Sequence, residues 1–252
     1  MSAAEDRFWS ELPLGPGVVG LARDRNGVVA LAKPDGVLSH PNQTGDEARS
    51  LLRTGYADVE ECYIWVAPGG VERRLWLVNR LDRATSGVIL AATDGELAQA
   101  MRLQFRDKQI RKVYTALVFG APKHPCETWK DHLKIEKTGG RIRTAAGTGH
   151  IPAESLMTLV RSGGSQRRLS LLRLEPRTGR SHQLRVQCAR RGLPIVGDTT
   201  YGDFKANRDF ARLNGVRRMF LHSLETSFSY EFAGRRNEFA ARAPLPPEFE
   251  TI

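Results

Sequence analysis

Asp82 stands in the stretch Leu75-Trp-Leu-Val-Asn79-Arg80-Leu81-Asp82-Arg83-Ala-Thr85-Ser86-Gly87-Val-Ile-Leu-Ala-Ala92, between two apolar runs and beside Arg80 and Arg83. A carboxylate on a loop, held between two apolar strands and beside arginines, is a place for chemistry, as a nucleophile or as a stabiliser of developing positive charge. The same carboxylate can instead cap its own turn. A second dense segment, Leu174-Glu-Pro176-Arg-Thr178-Gly179-Arg180-Ser-His182-Gln183-Leu184-Arg185-Val186, gathers donors and cations within a few residues. There Arg180 and Arg185 either face a cleft or belong to a basic helix start with a solvated face. In Gln109–Gly120 the alternation puts Val113, Thr115 and Leu117 on one face and Lys112, Tyr114 and Ala116 on the other. Tyr114 is then either sheet packing or a flat surface on which any base can stack.

The elements that must hold these residues follow from pattern. Leu75–Val78 and Val88–Ala92 read as buried strands flanking the Asp82 loop. Val18–Ala22 and Val28–Lys33 read as a hairpin closed by Arg23-Asp-Arg-Asn-Gly27. Lys33-Pro34-Asp35-Gly36 ends the second strand, since Pro34 cannot continue a ladder and Gly36 permits a tight turn. A short helix is expected over 46–53, and Cys62–Val66 reads as a strand. Thr93-Asp-Gly-Glu96 fits a capping box for a helix over Asp94–Asp107, with Leu97, Met101, Gln104 and Phe105 on one side. Residues 121–150 read as a hairpin or loop region holding Gly139-Gly140. Ala153–Arg161 and Arg167–Leu174 are expected to pair around Ser162-Gly-Gly-Ser165. A helix begins near Ser181 with Leu184, Val186 and Cys188 inward. Gly192–Gly202 reads as a strand and a glycine-bracketed loop, Asn207–Leu213 as a short helix, and Met219–Ser223 and Thr226–Phe232 as two further strands. Strands outnumber helices, so the expected class is α+β with a largely antiparallel sheet.

Composition narrows the partners. Of 252 residues, 38 are Lys or Arg and 28 Asp or Glu, a net charge of +10. That excess favours a polyanion, nucleic acid before an anionic membrane surface. Cys62, Cys126 and Cys188 are odd in number and far apart, so no disulfide framework is expected and a reducing, cytoplasmic setting is. His124, Cys126 and His132 match no zinc spacing, so no metal is expected. No signal peptide or membrane-spanning run is apparent. Residues 1–17 read as an irregular, Pro/Gly-rich extension, and the length of 18–252 suits one large domain or two small ones. With no coiled-coil or exposed apolar stripe, a monomer is expected.

The ordered motifs resemble the RNA pseudouridine synthases of the RluA family, which includes ribosomal and tRNA uridine isomerases carrying a His-Arg-Leu-Asp signature. The resemblance rests on Lys33, Pro34, Gly36 and His40; on Arg80, Leu81, Asp82, Arg83, Thr85, Ser86 and Gly87; and on Lys112, Tyr114 and Ala116. It continues through Thr178, Gly179, Arg180, His182, Gln183, Leu184 and Arg185, then Pro194-Ile-Val-Gly197-Asp198 and Leu221-His222. Six elements in order cover most of the chain, most like the single-domain branch. Two positions depart: Asn79 replaces the signature histidine, which implies altered loop packing, and Gln187 stands where relatives often carry His, read as a structural substitution.

The resemblance implies a pseudouridine synthase fold with a central basic cleft, no cofactor, and an RNA substrate. Gly197–Arg208 resembles the branch acting on tRNA, while relatives acting on 23S rRNA share most other elements. It makes Asp82 the nucleophile, Arg185 its partner, and Tyr114 the base-stacking residue that helps remove a C5 proton. Arg80 fills the space left by an extruded base, and Arg83, Thr85, Arg180, His182 and Gln183 shape the binding site. Two rivals remain at this point: a non-catalytic RNA-binding protein on the same fold, and a hydrolase using Asp82 with His182 that releases free uracil.

Overall fold

The computed structural model describes all residues except 1–2, 139–140, 147–148, 164–168 and 251–252. Among the described residues there are thirteen strands and four α-helices. In chain order they begin α1 (Ala3–Glu11), β1 (Val19–Arg23), β2 (Val28–Lys33), β3 (Gly55–Ala57), β4 (Cys62–Val66), β5 (Glu72–Leu77), β6 (Ser86–Ala92) and α2 (Gly95–Arg106). Next are β7 (Arg111–Phe119), β8 (Cys126–Thr138), β9 (Arg141–Ala146), β10 (Ile151–Ser162), β11 (Leu169–Pro176) and α3 (Gln183–Arg190). The chain closes with α4 (Phe204–Asn214), β12 (Leu221–Phe232) and β13 (Arg235–Arg242). The architecture is α+β, and the strand registers described here are antiparallel. No helix among the described residues is long and apolar enough to cross a membrane.

The chain divides into two compact units, Met1–Ile110 with Glu225–Ala243, and Arg111–Leu224 with Pro244–Ile252. In the first, β1, β2, β6, β5, β4 and β3 pair in that order. All seven residues of β6 are buried, as its unbroken apolar run requires. Its core packs Val28, Val88 and Leu90 with Leu97 and Met101 of α2 and with Phe228 and Phe239 of the β12–β13 hairpin. In the β1–β2 turn, Asp24 Oδ1 accepts from the Asn26 and Val28 amides, and Gly27 takes φ +98°. In the second unit β7, β11, β10, β8 and β9 pair in order. Leu117, Leu171, Phe210, Phe220 and Phe249 form one of its clusters.

Several expectations need correction. Residues 1–17 are not irregular throughout: Ala3–Glu11 is helical, and Trp9 packs so closely on Gly20 that an added Cβ would lie 2.5 Å from its ring. Asp94, not Thr93, caps α2, accepting from Leu97 N at 2.8 Å. Thr93 is held back because its amide donates to Gly27 O in the β1–β2 turn. Gly192–Gly202 holds one isolated bridge, Val118 to Ile195, rather than a strand. The two strands expected around Glu225 are one continuous β12, and β13 was not expected at all. Region 121–150 is a long β8–β9 hairpin, its Gly139-Gly140 lying outside the described residues, as do Gly164 and Ser165.

Candidate active site

The Asp82 loop is fixed from several sides. Asn79 Oδ1 accepts from Leu90 N at 2.7 Å, tying the loop's first residues to β6. This is what the departure from the signature histidine does here: an amide oxygen takes a strand N–H. The Arg102 guanidinium of α2 donates to Leu77 O at the end of β5 (2.9 and 2.6 Å) and to Glu61 O. Ser39 grips Leu81 twice, donating to its carbonyl at 2.8 Å and accepting from its amide at 3.0 Å. The turn at Asp82 is closed by the main chain, with Thr85 N donating to Asp82 O at 2.9 Å. Asp82 itself is half-buried, Thr85 is buried, and Arg80 and Arg83 are exposed.

The Lys33-Pro34-Asp35-Gly36 turn supports this loop from below. Lys33 is 1% exposed and donates to the carbonyls of Pro34, Val37 and Arg83. Gly36 N donates to Arg83 O, and Arg83 Nε returns a bond to Gly36 O at 3.0 Å. Arg80 Nη1 lies 3.2 Å from His40 Nε2. His40 Nδ1 faces Pro41 O at 2.9 Å, so the network assigns the proton to Nδ1 and leaves Nε2 to accept from Arg80. Because Ser39 satisfies both main-chain groups of a buried residue, Ser39→Ala is expected to lower unfolding free energy by about 2–3 kcal/mol. Urea denaturation at unchanged slope measures this.

The remaining predicted residues lie in the second unit. Tyr114 sits half-buried on β7, opposite Leu174 of β11. Both faces of β7 are covered, so Lys112 is only 8% exposed, and burial pushes its ammonium down to about 8. Its Nζ lies 3.7 Å from where a side chain at Gly179 would begin. Below pH 8 both states hold this proton and the folded state bears the cost of burying the charge. Above it the unfolded chain holds more protons, so stability attributable to Lys112 rises between about pH 8 and pH 10.5. Lys112→Met is therefore expected to be the more stable protein at pH 7, by about 2 kcal/mol, with the difference vanishing toward pH 10.5. Paired unfolding curves across that range test it.

The Thr178–Arg185 segment is a tight knot. Gln183 Oε1 accepts from Thr178 Oγ1 at 2.7 Å and from Arg180 N at 3.1 Å, while its Nε2 donates to Glu154 O and Ser155 Oγ. Gln183 thus shapes the turn. His182 precedes α3 with φ +54°, a left-handed conformation that is strained for a non-glycine residue. Its Nδ1 is 2.9 Å from the Tyr201 hydroxyl, which also accepts from Thr144 N. Arg180 Nε donates to Pro152 O at 3.3 Å.

Arg185 is 7% exposed and does not lie on a solvated face. It forms a two-bond fork with Asp198, Nε to Oδ2 at 2.7 Å and Nη2 to Oδ1 at 2.8 Å. Asp198 is fully buried and also accepts from the Thr200 and Tyr201 amides. Burial works to raise its pKa, but the bonds and charge of Arg185, with those two amides, hold the carboxyl below its usual value. The Arg185 guanidinium carbon lies 5.1 Å from the Tyr201 ring centre. Gln187 is buried, accepting from Ser155 Oγ and donating to Asp131 Oδ2, as a structural substitution should. Asp198 and Tyr201 were not among the expected site residues. The signal for Asp198 was present in Pro194-Ile-Val-Gly197-Asp198, but nothing in it said which cation the carboxylate meets.

Residues 27–190 match the RNA pseudouridylate synthase family. The chain is 32% identical over 186 residues to tRNA pseudouridine synthase C of Yersinia pestis, covering 70% of this chain and 72% of that one. It is 33% identical over 189 residues to ribosomal large subunit pseudouridine synthase C of Pasteurella multocida, covering 71% of this chain and 54% of that one, so it spans about half of that relative. Among solved structures it resembles human RNA Pseudouridylate Synthase Domain Containing 1, with TM-score 0.66 and 23% identity over 92% of this chain and 86% of that one, a likeness of fold.

Proposed function

Because the chain belongs to the RNA pseudouridylate synthase family, we propose that it isomerises a uridine of a structured RNA through Asp82, and that the RNA is a tRNA rather than 23S rRNA. In this reaction the N1–C1′ bond breaks, the uracil turns, and a C5–C1′ bond forms. The C5 proton leaves and N1 takes one up, so atoms and electrons balance without an external reductant or phosphoryl donor.

The observation that carries the reading is the Asp82 loop: a half-buried carboxylate whose carbonyl is held by Thr85 N, in a loop that Ser39 fixes at Leu81 and Asn79 ties to Leu90, and whose flanking arginines reach solvent. Such a group can attack the ribose or base, or stabilise positive charge on the sugar. Tyr114 offers a ring for stacking the uracil and a phenol for the C5 proton. Arg185, held in one orientation by Asp198, is the cation of the reaction. Arg80 fills the gap left by the extruded base, offsetting an unstacking cost of a few kcal/mol. Arg83, Thr85, Arg180, His182 and Gln183 shape the substrate's surroundings. The tRNA choice is supported by Gly197–Arg208, and a cytoplasmic monomer fits the same reading.

Tritium release from RNA labelled at uridine C5 tests substrate choice. Release from tRNA and not from 23S rRNA is the expected result. The reverse pattern would reject the tRNA assignment.

A further inference from the structure

A cavity of ≈ 610 Å³ in the first unit lies away from the Asp82 loop. Its lining includes Arg7 and Phe8 of α1, Arg23 of β1, Trp65 of β4, Arg73, Arg74 and Trp76 of β5, and Thr93. Thr93 follows β6, whereas the Asp82 loop precedes it. Eight residues of extended chain separate Thr85 from Thr93, about 25 Å at strand spacing. That is less than one turn of a nucleic-acid duplex.

Three aromatic rings and four arginines share this wall, against two carboxylates. The carboxylates are only partly neutralising: Glu11 takes Arg7 at 2.8 Å with Arg73 at 3.9 Å, and Glu72 takes Arg74 at 2.9 Å. The Arg23 guanidinium lies over the Phe8 ring, 4.0 Å from the centre. The buried donors Arg23 Nε and Trp65 Nε1 have no acceptor among the described residues. Both atoms are sealed from solvent, so the wall meets a ligand through its ring faces and through the Arg73 and Arg74 guanidiniums, which reach solvent. Rings beside four guanidiniums that outnumber their two carboxylates select the kind of molecule that carries both π-faces and negative charge.

We propose that this cavity is a second RNA contact, taking an unpaired nucleotide of the substrate: the base against Trp65, Trp76 and Phe8, and the phosphate toward Arg23 and Arg73. The proposal rests on the reading of the chain as an RNA-modifying enzyme and adds a place where the RNA is held about 25 Å from the reacting loop. It secures the substrate's position without touching the reacting uridine.

The experiment uses the full chain, a six-nucleotide oligouridylate, and labelled substrate RNA. The variants are Trp65→Phe, which replaces the indole by a smaller phenyl ring, and Arg73→Ala/Arg74→Ala, whose side chains are 49% and 39% exposed. Oligouridylate is expected to quench wild-type tryptophan fluorescence, with part of that signal lost in Trp65→Phe and the rest carried by Trp76. The double variant is expected to bind it about tenfold more weakly, with a salt slope smaller by about 0.7 for the lost Arg73 contact. For the substrate RNA its KM rises by a similar factor and kcat stays within about twofold. Glu72→Gln, removing a competing carboxylate, tightens binding. Variants with wild-type unfolding midpoints, affinity and salt slope would overturn the proposal. So would quenching by poly-L-glutamate with none by oligouridylate, which would assign the cavity to an acidic protein. Failure of the wild type to release tritium from any RNA rejects the isomerase reading alone, since the oligouridylate titration decides the cavity independently.

Discussion

Asp82→Asn is expected to lower tritium release from C5-labelled substrate RNA by at least about 10³-fold, the loss typical of deleting a nucleophile. The amide has nearly the shape of the carboxylate but neither attacks carbon nor balances positive charge on a ribose. The fold should not notice the change. The bonds that fix this loop run through main-chain groups: Thr85 N to Asp82 O, Ser39 to Leu81, and Asn79 to Leu90 N. RNA affinity, which rests chiefly on phosphate contacts, should stay within about threefold, and the variant should remain folded. A mutant that unfolds early would make the assignment structural. A folded mutant with normal release would remove Asp82 from the chemistry.

The second large effect is at Arg185. Arg185→Met leaves the fully buried Asp198 carboxylate with its two amide donors and without the fork from Arg185. Removing one partner of such a pair costs about 3–5 kcal/mol, or roughly 10 °C in unfolding midpoint for a chain of this size. The pH dependence has a definite sign. Asp198 has its pKa held below the unfolded value, so its contribution is present above about pH 4 and is lost as pH falls through the folded pKa. In the variant the lowering groups are reduced to the two amides and burial acts against them, so the carboxyl protonates earlier. The stability gap between wild type and Arg185→Met should therefore be widest near neutrality and narrow below about pH 4. Arg185→Lys restores charge but cannot reproduce two parallel bonds, and should recover only part of the loss. Thermal unfolding of the three proteins at both pH values tests this; a constant gap would mean that Asp198 is not ionised through Arg185.

Much of this framework was legible in the sequence. β2, β4 and β6 have strand-like apolar runs, and the Asp24–Gly27 turn declares itself through Asn-Gly. β13 was hidden because Arg235, Arg236 and Glu238 dominate it, and only Phe239 and Ala241 reach the core among its first seven residues. β12 was split because Glu225 interrupts its apolar pattern. The chain also changes compact unit between Leu224 and Glu225, within one strand, which no local composition shift announces. The cap of α2 depended on a tertiary fact: Thr93 is held by Gly27 of another turn, so Asp94 caps instead.

The motif residues were legible as candidates, but their supports were not. Arg185 and Asp198 are 13 positions apart in two separate motifs, and sequence order does not tell that they form one fork. Ser39 carried no signal beyond its place beside His40, yet it fixes Leu81 on both sides. Arg23 and Trp65 belong to unremarkable strands, and their unsatisfied donors appear only when side chains are placed.

The central claim is isomerisation rather than binding or hydrolysis, and the most direct measurement is nucleoside analysis of tRNA after incubation with the wild-type chain. Digestion and mass spectrometry should find one uridine replaced by a nucleoside of identical mass with a carbon–carbon glycosidic bond, and no free uracil. Free uracil with an abasic ribose would make the chain a hydrolase, and tightly bound RNA with every uridine unchanged would make it a binding protein; either contradicts the account.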